Sequence, residues 1–414
     1  MDATVLIIFA IVYVGMFLGE IPGLALDRTG IALLGAIAFL ATGHISAQDA
    51  WNAIDVGTIA LLLGLMVVSA QFRLGGFYSC ITCRLARLQY RPQTLLVLLI
   101  FIAGILSAVL ANDIVCLAMA PVLIEGCAQR SYNPVPYLLG LACASNIGSA
   151  ATLIGNPQNM LIGQSLNMSF SGYLLEAAVP VIAGLLIVWM VICRNYRHDW
   201  RRVTPVPRIE LTEISYWQTS KGCIVLCCAI TAFLFLPLPR EIVALTAAAL
   251  LLTSRRMASR QMLGLVDWQL LVLFAALFIV NKVLATSGVL KFFMDYLAAW
   301  GIQTEQPAWL FSLTFILSNF VSNVPAVMLL LPAATHPLSG TIMAIASTFG
   351  GNLLIIGSIA NIIVIEQARS FQIKIGWLEH ARVGVPVTIL SLAFAAVWLF
   401  LKSASPLEIY LIFK

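Results

Sequence analysis

Charge is the scarcest property of this sequence. Asp, Glu, Lys and Arg make up 10% of its 414 residues, against 61% hydrophobic residues and a mean hydropathy of +0.98. A soluble domain carries about 25% charged residues. No globular core hides this much apolar chain, so the solvent is lipid. Other absences narrow the class. No low-complexity tract and no soluble domain interrupt the apolar runs, and no G-x-x-x-x-G-K-[ST] loop is present to hydrolyse ATP. Of the nine Cys, most lie in apolar runs as small hydrophobes. Cys80 and Cys83 form a C-x-x-C with no second pair or His cluster to complete a metal site. The four His (His44, His198, His336 and His380) are read as loop residues, which leaves no convergent nucleophile and base for an enzyme. The first apolar run, Val5 to Leu18, has no basic n-region before it and no small-x-small site after it, so it reads as a retained span.

What is present is a series of apolar segments separated once by a different kind of sequence. Residues 194–221 are polar and rich in Arg and Pro, and are read as a linker between halves at 1–193 and 222–414. The halves overlay. Asp55–Gly76 lies over Asp267–Gly288, Ile105-Leu106-Ser107 over Ile316-Leu317-Ser318, and Ser145–Asn159 over Ser347–Asn361, at offsets of 212, 211 and 202. Shared Asn, Gly and Pro positions make this an internal duplication rather than chance likeness between apolar helices.

Charge decides whether the repeats run parallel or inverted. If 94–128 and 307–334 each enter and leave by one face, each half has five crossings plus one re-entrant hairpin. Then 18 of the 23 Lys and Arg fall on one side, leaving Arg240, Lys282, Lys291, Lys402 and Lys414 on the other. That obeys the positive-inside rule, whereas six crossings per half does not. The expectation is an all-α polytopic inner-membrane protein of two inverted repeats with a cytoplasmic linker. Topology then accounts for the net charge of +5, and no nucleic-acid partner is drawn from it.

Chemistry is expected where helices break, because backbone at membrane depth must satisfy its own polar groups. Four such stretches pair by the repeat. Two are hairpin tips, Ala111-Asn112-Asp113 and Ser322-Asn323-Val324-Pro325. Two are interrupted helices, SNIGSAATLIGNPQN (Ser145–Asn159) and STFGGNLLIIGSIAN (Ser347–Asn361). A broken helix exposes free N–H groups and a positive dipole end that attracts anions, while carbonyl ends hold cations. The candidate substrate- and ion-binding set is Asn112, Asp113, Ser145, Asn146, Gly148, Gly155, Asn156, Pro157, Asn159, Ser322, Asn323, Gly350, Gly351, Asn352, Gly357 and Asn361. Asp113 is the one acid within 94–124, and an intramembrane carboxylate marks a functional site by default. It is read as the coupling residue, with a Na+ site near Asn112, Asp113 and Asn323 as one form of coupling. The blander readings are a helix cap for Asp113 and packing glue for single Ser residues.

At these residues the sequence resembles the ion transporter superfamily, which includes divalent anion:sodium symporters, citrate transporters, arsenical pump membrane proteins and a class of sodium/proton antiporters. SNIGSAATLIGNPQN and FGGNLLIIGSIANII are similar to the superfamily's paired helix breaks, and Leu26–Gly43 also looks like this group. The resemblance implies an elevator-type secondary carrier, often dimeric, with substrate and coupling ion held between hairpin tips and broken helices. The dicarboxylate branch carries Ser-Asn-Thr at the first tip. Ala111-Asn112-Asp113 looks more like the arsenical-pump branch. The expected function is a permease for small anions or oxyanions, coupled to H+ or Na+ with no other cofactor. The alternatives are a cation/proton antiporter on the same scaffold and an arsenite-type efflux permease.

Overall fold

The computed structural model describes residues 2–19, 26–202, 214–254 and 257–404. Among them the chain forms twenty α-helices, and the only extended pairing is one bridge between Tyr132 and Arg201. Ten helices precede the undescribed stretch 203–213: α1 (Ala3–Leu18), α2 (Arg28–Ala41), α3 (Ala47–Ala53), α4 (Val56–Leu74), α5 (Phe77–Arg87), α6 (Pro92–Val109), α7 (Asn112–Gln129), α8 (Pro134–Ser149), α9 (Pro157–Ser165) and α10 (Phe170–Asn195). Ten follow it: α11 (Tyr216–Phe235), α12 (Arg240–Leu252), α13 (Ser259–Leu263), α14 (Trp268–Thr286), α15 (Val289–Ala299), α16 (Pro307–Val321), α17 (Asn323–Leu330), α18 (Ser339–Gly350), α19 (Ile359–Ser370) and α20 (Trp377–Ala404).

The two sets match in order and in punctuation. Helices α4 and α14 are both 19 residues long, and α5 and α15 are both 11. The side chains of Asp55 and Asp267 cap α4 and α14 by accepting from Thr58 and Leu270 N–H. Gly76 and Gly288 then turn the chain at φ 71° and 75°, where a Cβ would be strained. Proline opens α6, α8, α9 and α16, where its missing N–H removes nothing from the ladder.

The helices pack as two groups. In one, α4 lies against α12 and α2 against α14, joined by α1 and α11. Each of these principal pairs takes one helix from each set. Gly64 permits the α4–α12 contact, since a Cβ there would stand 2.6 Å from the Ala244 carbonyl carbon. In the other group α6 packs on α8, α16 on α18 and α10 on α20. Among the described residues, six helices (α4, α6, α10, α11, α14 and α20) are long and apolar enough to cross a bilayer, and α1, α2, α16 and Asn323–Ala333 are shorter apolar helices. The chain is thus an all-helical polytopic membrane protein.

Two sequence expectations need correction. The linker placed at 194–221 is shorter, because α10 runs through Asn195 and α11 already begins at Tyr216. Its start is held by the bridge at Arg201 and by the Asn133 N–H donating to Trp200 O, contacts that distance in sequence conceals; 203–213, with Arg208, lies outside the described residues. His380 is not in a loop. It sits in the first turn of α20, where the polar stretch before the apolar run extends the helix.

Candidate functional site

Both interrupted helices are broken where the sequence places them. Residues 150–156 separate α8 from α9, and 351–358 separate α18 from α19. Each restart is capped by a side chain: Asn156 Oδ1 accepts from Asn159 N–H at 2.8 Å, and Ser358 Oγ accepts from Ala360 N–H at 3.2 Å. Each connecting loop is braced from the following helix by one asparagine. Asn159 Nδ2 donates to the carbonyls of Thr152 (3.0 Å) and Ser149 (3.4 Å). Asn361 Nδ2 donates to those of Leu354 (3.1 Å) and Gly351 (2.9 Å). The acceptors lie 7 and 10 residues before the donor in both cases. These asparagines satisfy backbone freed by the breaks, which lipid cannot do.

The breaks also bond to each other reciprocally. Ser358 Oγ donates to Asn146 Oδ1 at 2.7 Å, and Asn156 Nδ2 donates to Thr348 Oγ1 at 3.2 Å. At the repeat offset of 202, Asn146 corresponds to Thr348 and Asn156 to Ser358. Asn146 Nδ2 further donates to Asn352 Oδ1 (2.9 Å) and Asn361 Oδ1 (3.1 Å), and Gln158 joins at Thr348. Asn146, Asn352, Asn159 and Asn361 are at most 3% exposed. They hold the crossing together, with Asn352 Nδ2 and Asn159 Oδ1 left without a partner among the described residues.

The glycines divide by role. A Cβ on Gly148 would come within 2.3 Å of Gly104 Cα, so Gly148 lets α8 touch α6 backbone to backbone. Gly155 lies in the first loop against Ser149 O and Ser107 O; Gly351 and Gly357 lie against each other in the second. Gly350 faces the side chains of Phe315, Ser318 and Asn319 on α16.

The hairpin tips differ. In the first, α6 stops at Val109 and α7 starts at Asn112, with Ala111 at the N-cap position. Asn112 and Asp113 therefore occupy the first turn of α7, and Asp113 makes no capping bond, which removes the cap reading. Ser145 Oγ donates to Asn112 O at 3.0 Å and pairs with Ser107 Oγ at 2.9 Å, tying the tip to α8. Ala111 N–H donates to Ser69 Oγ on α4 at 3.3 Å. The second tip is Ser322 alone, at φ 74° and ψ 161°, a region populated almost only by glycine. Beside it the side-chain oxygens of Asn323 and Asn319 are buried without a partner among the described residues.

Around the first tip lies a cavity of about 170 Å³. Asn112, Asp113, Asn156 and Pro157 line it, with apolar walls from α4, α7, α9 and α19 that include Leu62, Met66, Leu117, Met160 and Ile363. Taking roughly 30 Å³ per water, that is room for about five or six waters. Among the other predicted residues, the Asn146 network packs within the protein, and Ser322, Asn323, Gly350, Gly351 and Gly357 do not line the cavity. Two residues that do line it, Arg73 and Asp267, escaped the sequence reading. The sequence reading counts Arg73 only among the 18 Lys and Arg of the positive-inside side and Asp267 only as part of a repeat block. The readable signal was the stripe Leu62, Met66, Ser69 and Arg73, which helical spacing puts on one face of α4.

The comparisons with known proteins agree with this architecture. The family described as "Citrate transporter" matches residues 4–341. The chain is 27% identical to a "46 kDa membrane protein" of Mycobacterium leprae, over 91% of this chain and 94% of that protein. It is 26% identical to the "Silicon efflux transporter LSI3" of rice, Oryza sativa, over 89% and 92%. In fold it is similar to the YdaH transporter of Alcanivorax borkumensis, with a TM-score of 0.59 and 14% identity across 98% of this chain and 100% of that one.

Proposed function

This chain belongs to the citrate transporter family, and on that premise we propose that it is a secondary carrier, not an enzyme, moving small anions or oxyanions across the inner membrane with H+ or Na+. One observation carries the reading: Asp113, a carboxylate without a partner among the described residues, lines a cavity walled mostly by apolar side chains at the meeting point of a hairpin tip and a helix break. An uncompensated charge there strongly opposes transfer through the bilayer core. Movement of the hairpin therefore requires Asp113 to be neutralised by a proton or a cation, and that requirement is the coupling. Asn112 supplies a neutral donor and acceptor that orient an anion without adding charge, while the Asn156 amide is taken up by Ser149, Thr348 and Asn159.

The halves 1–193 and 222–414 act in this proposal as inverted repeats about a cytoplasmic linker within 194–221. Helices α6–α7 and α16–α17 are its re-entrant hairpins. Matching helix order, matched braces and reciprocal cap bonds support it. The group containing α6–α10 and α16–α20 would move as an elevator against the group of α1, α2, α4, α11, α12 and α14, in a homodimer. The separation of the packing into those two groups supports that motion. Na+ as the coupling ion is favoured by the buried, donorless oxygens of Asn319 and Asn323 at the second tip. The relative described as a silicon efflux transporter supports a substrate range wider than citrate.

The test is solid-supported-membrane electrophysiology on purified protein in liposomes, with citrate, succinate, sulfate, phosphate, arsenite, Na+ and Li+. An anion-evoked current that Asp113→Asn abolishes is expected. Currents evoked by Na+ or a pH step alone, with no anion dependence, would replace this reading with a cation/proton antiporter.

A further inference from the structure

Resting on the carrier reading above, we infer that Arg240 and Arg28 are positioning residues that latch the moving group to the scaffold at opposite ends of the transport stroke. Arg240 opens α12, in the group of helices proposed to stay still. Its Nη2 donates to the carbonyl of Met168, in the turn between α9 and α10 of the moving group. Beside it Gln164 Nε2, on α9, donates to Glu241 Oε2 at 2.6 Å. A Cβ on Gly163 would lie 2.7 Å from Arg240 Nη1, so the glycine leaves the guanidinium its seat. Arg240 is also one of the few basic residues that the topology reading leaves on the outer side, against the positive-inside bias. The contact with Met168 gives that exception a purpose.

The duplication supplies the second latch. At the offset of 212, α2 lies over α12, with Arg28 over Arg240 and Ala32-Leu33 over Ala244-Leu245. The turns after α9 and α19 match at an offset of 205. Asn167 and Gln372 both have positive φ, at 48° and 60°, and the next N–H groups, of Met168 and Ile373, return to the carbonyls of Gly163 and Ala368. The equivalent of the Met168 carbonyl is therefore that of Ile373, and the equivalent of Arg240 is Arg28. In this structure the Arg28 side chain bonds no described residue, and its Nε is buried without a partner. The Ile373 carbonyl accepts from no described residue either. One latch is closed and its counterpart is open.

The hairpins show the same imbalance. Ser69 on α4 and Asn281 on α14 are equivalent at the offset of 212. Ser69 accepts from Ala111 at the first tip. Asn281 Nδ2 instead donates to Met328 Sδ at 3.5 Å, six residues beyond Ser322, the equivalent of Ala111. At roughly 1.5 Å per helical residue the two hairpins differ in depth by about 9 Å. Exchanging the conformations of the halves turns this arrangement into the opposite end of a stroke. It moves Asn281 opposite Ser322, withdraws Met168 from Arg240 and brings Ile373 to Arg28. Ala368 stands where Gly163 does and narrows that seat, so Arg240 is the stronger latch.

The experiment places Asn281→Cys with either Met328→Cys or Ser322→Cys in the full-length protein in liposomes. A short bis-thiol reagent links the pairs, and mass spectrometry of the linked peptides separates them from links between native thiols. With both arginines present the 281–328 link should dominate. Arg240→Gln should raise the yield of the 281–322 link relative to 281–328 about 3- to 10-fold, and Arg28→Gln should lower it by a smaller factor. Arg240→Lys keeps a donor and should fall between, and it carries the test if Arg240→Gln does not fold. The double variant Arg28→Gln with Arg240→Gln should return towards the starting ratio. A ratio that neither arginine moves, or that both move in one direction, overturns the assignment. So does a lower melting temperature in Arg240→Gln with the ratio unchanged, the mark of a static clamp. The expected shifts in a protein that gives no current with any anion, Na+ or a pH step overturn the carrier reading and leave the two latches standing.

Discussion

The two hairpin tips share a design and differ in chemistry. The first is joined to its neighbours by Ser69, Ser107 and Ser145, places Asp113 against a cavity, and has ordinary backbone angles. The second holds Ser322 in a strained conformation, carries no acid, and leaves two asparagine oxygens without donors. The helix breaks behind the tips are by contrast nearly interchangeable, with braces at matching spacings and caps that bond across to each other. The difference shows which parts of a duplicated fold are free to diverge. Backbone freed by a break must be satisfied the same way in both copies. The charge presented to a ligand has no such constraint.

That comparison can be broken by experiment, most forcefully at the tip. Asp113→Asn should reduce ion-coupled current to below about a hundredth of wild type, the scale of losing a charged hydrogen-bonding partner. Val324→Asp at the counterpart position should not restore it. Restoration in the double variant would make the tips chemically equivalent and the comparison wrong.

Next in size are the glycines at the ends of α8 and α18. Gly148→Ala drives a methyl into the backbone of Gly104 and should cost about 1–3 kcal/mol of apparent stability. Gly350→Ala meets first the Phe315 side chain at 2.9 Å, which can move, and should cost less. Melting curves in detergent that ranked them the other way would contradict the packing at Gly104.

The braces should behave alike. Asn159→Ala and Asn361→Ala each leave two loop carbonyls without their donor, for about 1–3 kcal/mol apiece. Unequal losses by thermal unfolding would show that only one break depends on its asparagine. The smallest change is expected at Ser322→Gly, which relieves a backbone strain of order 1–3 kcal/mol but adds chain entropy to the unfolded state. A modest rise in melting temperature is the expected result, and a fall would mean the Ser322 side chain supports the tip.

Much of this molecule was legible in one dimension. Composition named the solvent, repeated blocks announced matching halves, and Asn-Pro and Gly-Gly-Asn marked the breaks, because irregular backbone in lipid needs residues that can satisfy it. Within the candidate set, however, sequence could not separate residues that bind from residues that brace. Asn146 and Asn361 look like ligands by type, and their amides turn out to be committed to loop carbonyls and to one another, while Asn159 braces the first loop through Nδ2 alone. Gly148 looks like a point of ligand approach and is a helix contact.

The sequence alone thus determined that the chain lives in a bilayer, that it carries matching blocks, and where two of its helices are interrupted. Those properties follow from hydropathy and from the local conformational preferences of Gly, Pro and Asn. Tertiary structure decided which stops meet, which amides remain free, and that Arg73, Asp113 and Asp267 share one cavity. That grouping joins residues as far apart as 73 and 267, and it depends on how α4, α7 and the start of α14 pack, which no local pattern encodes.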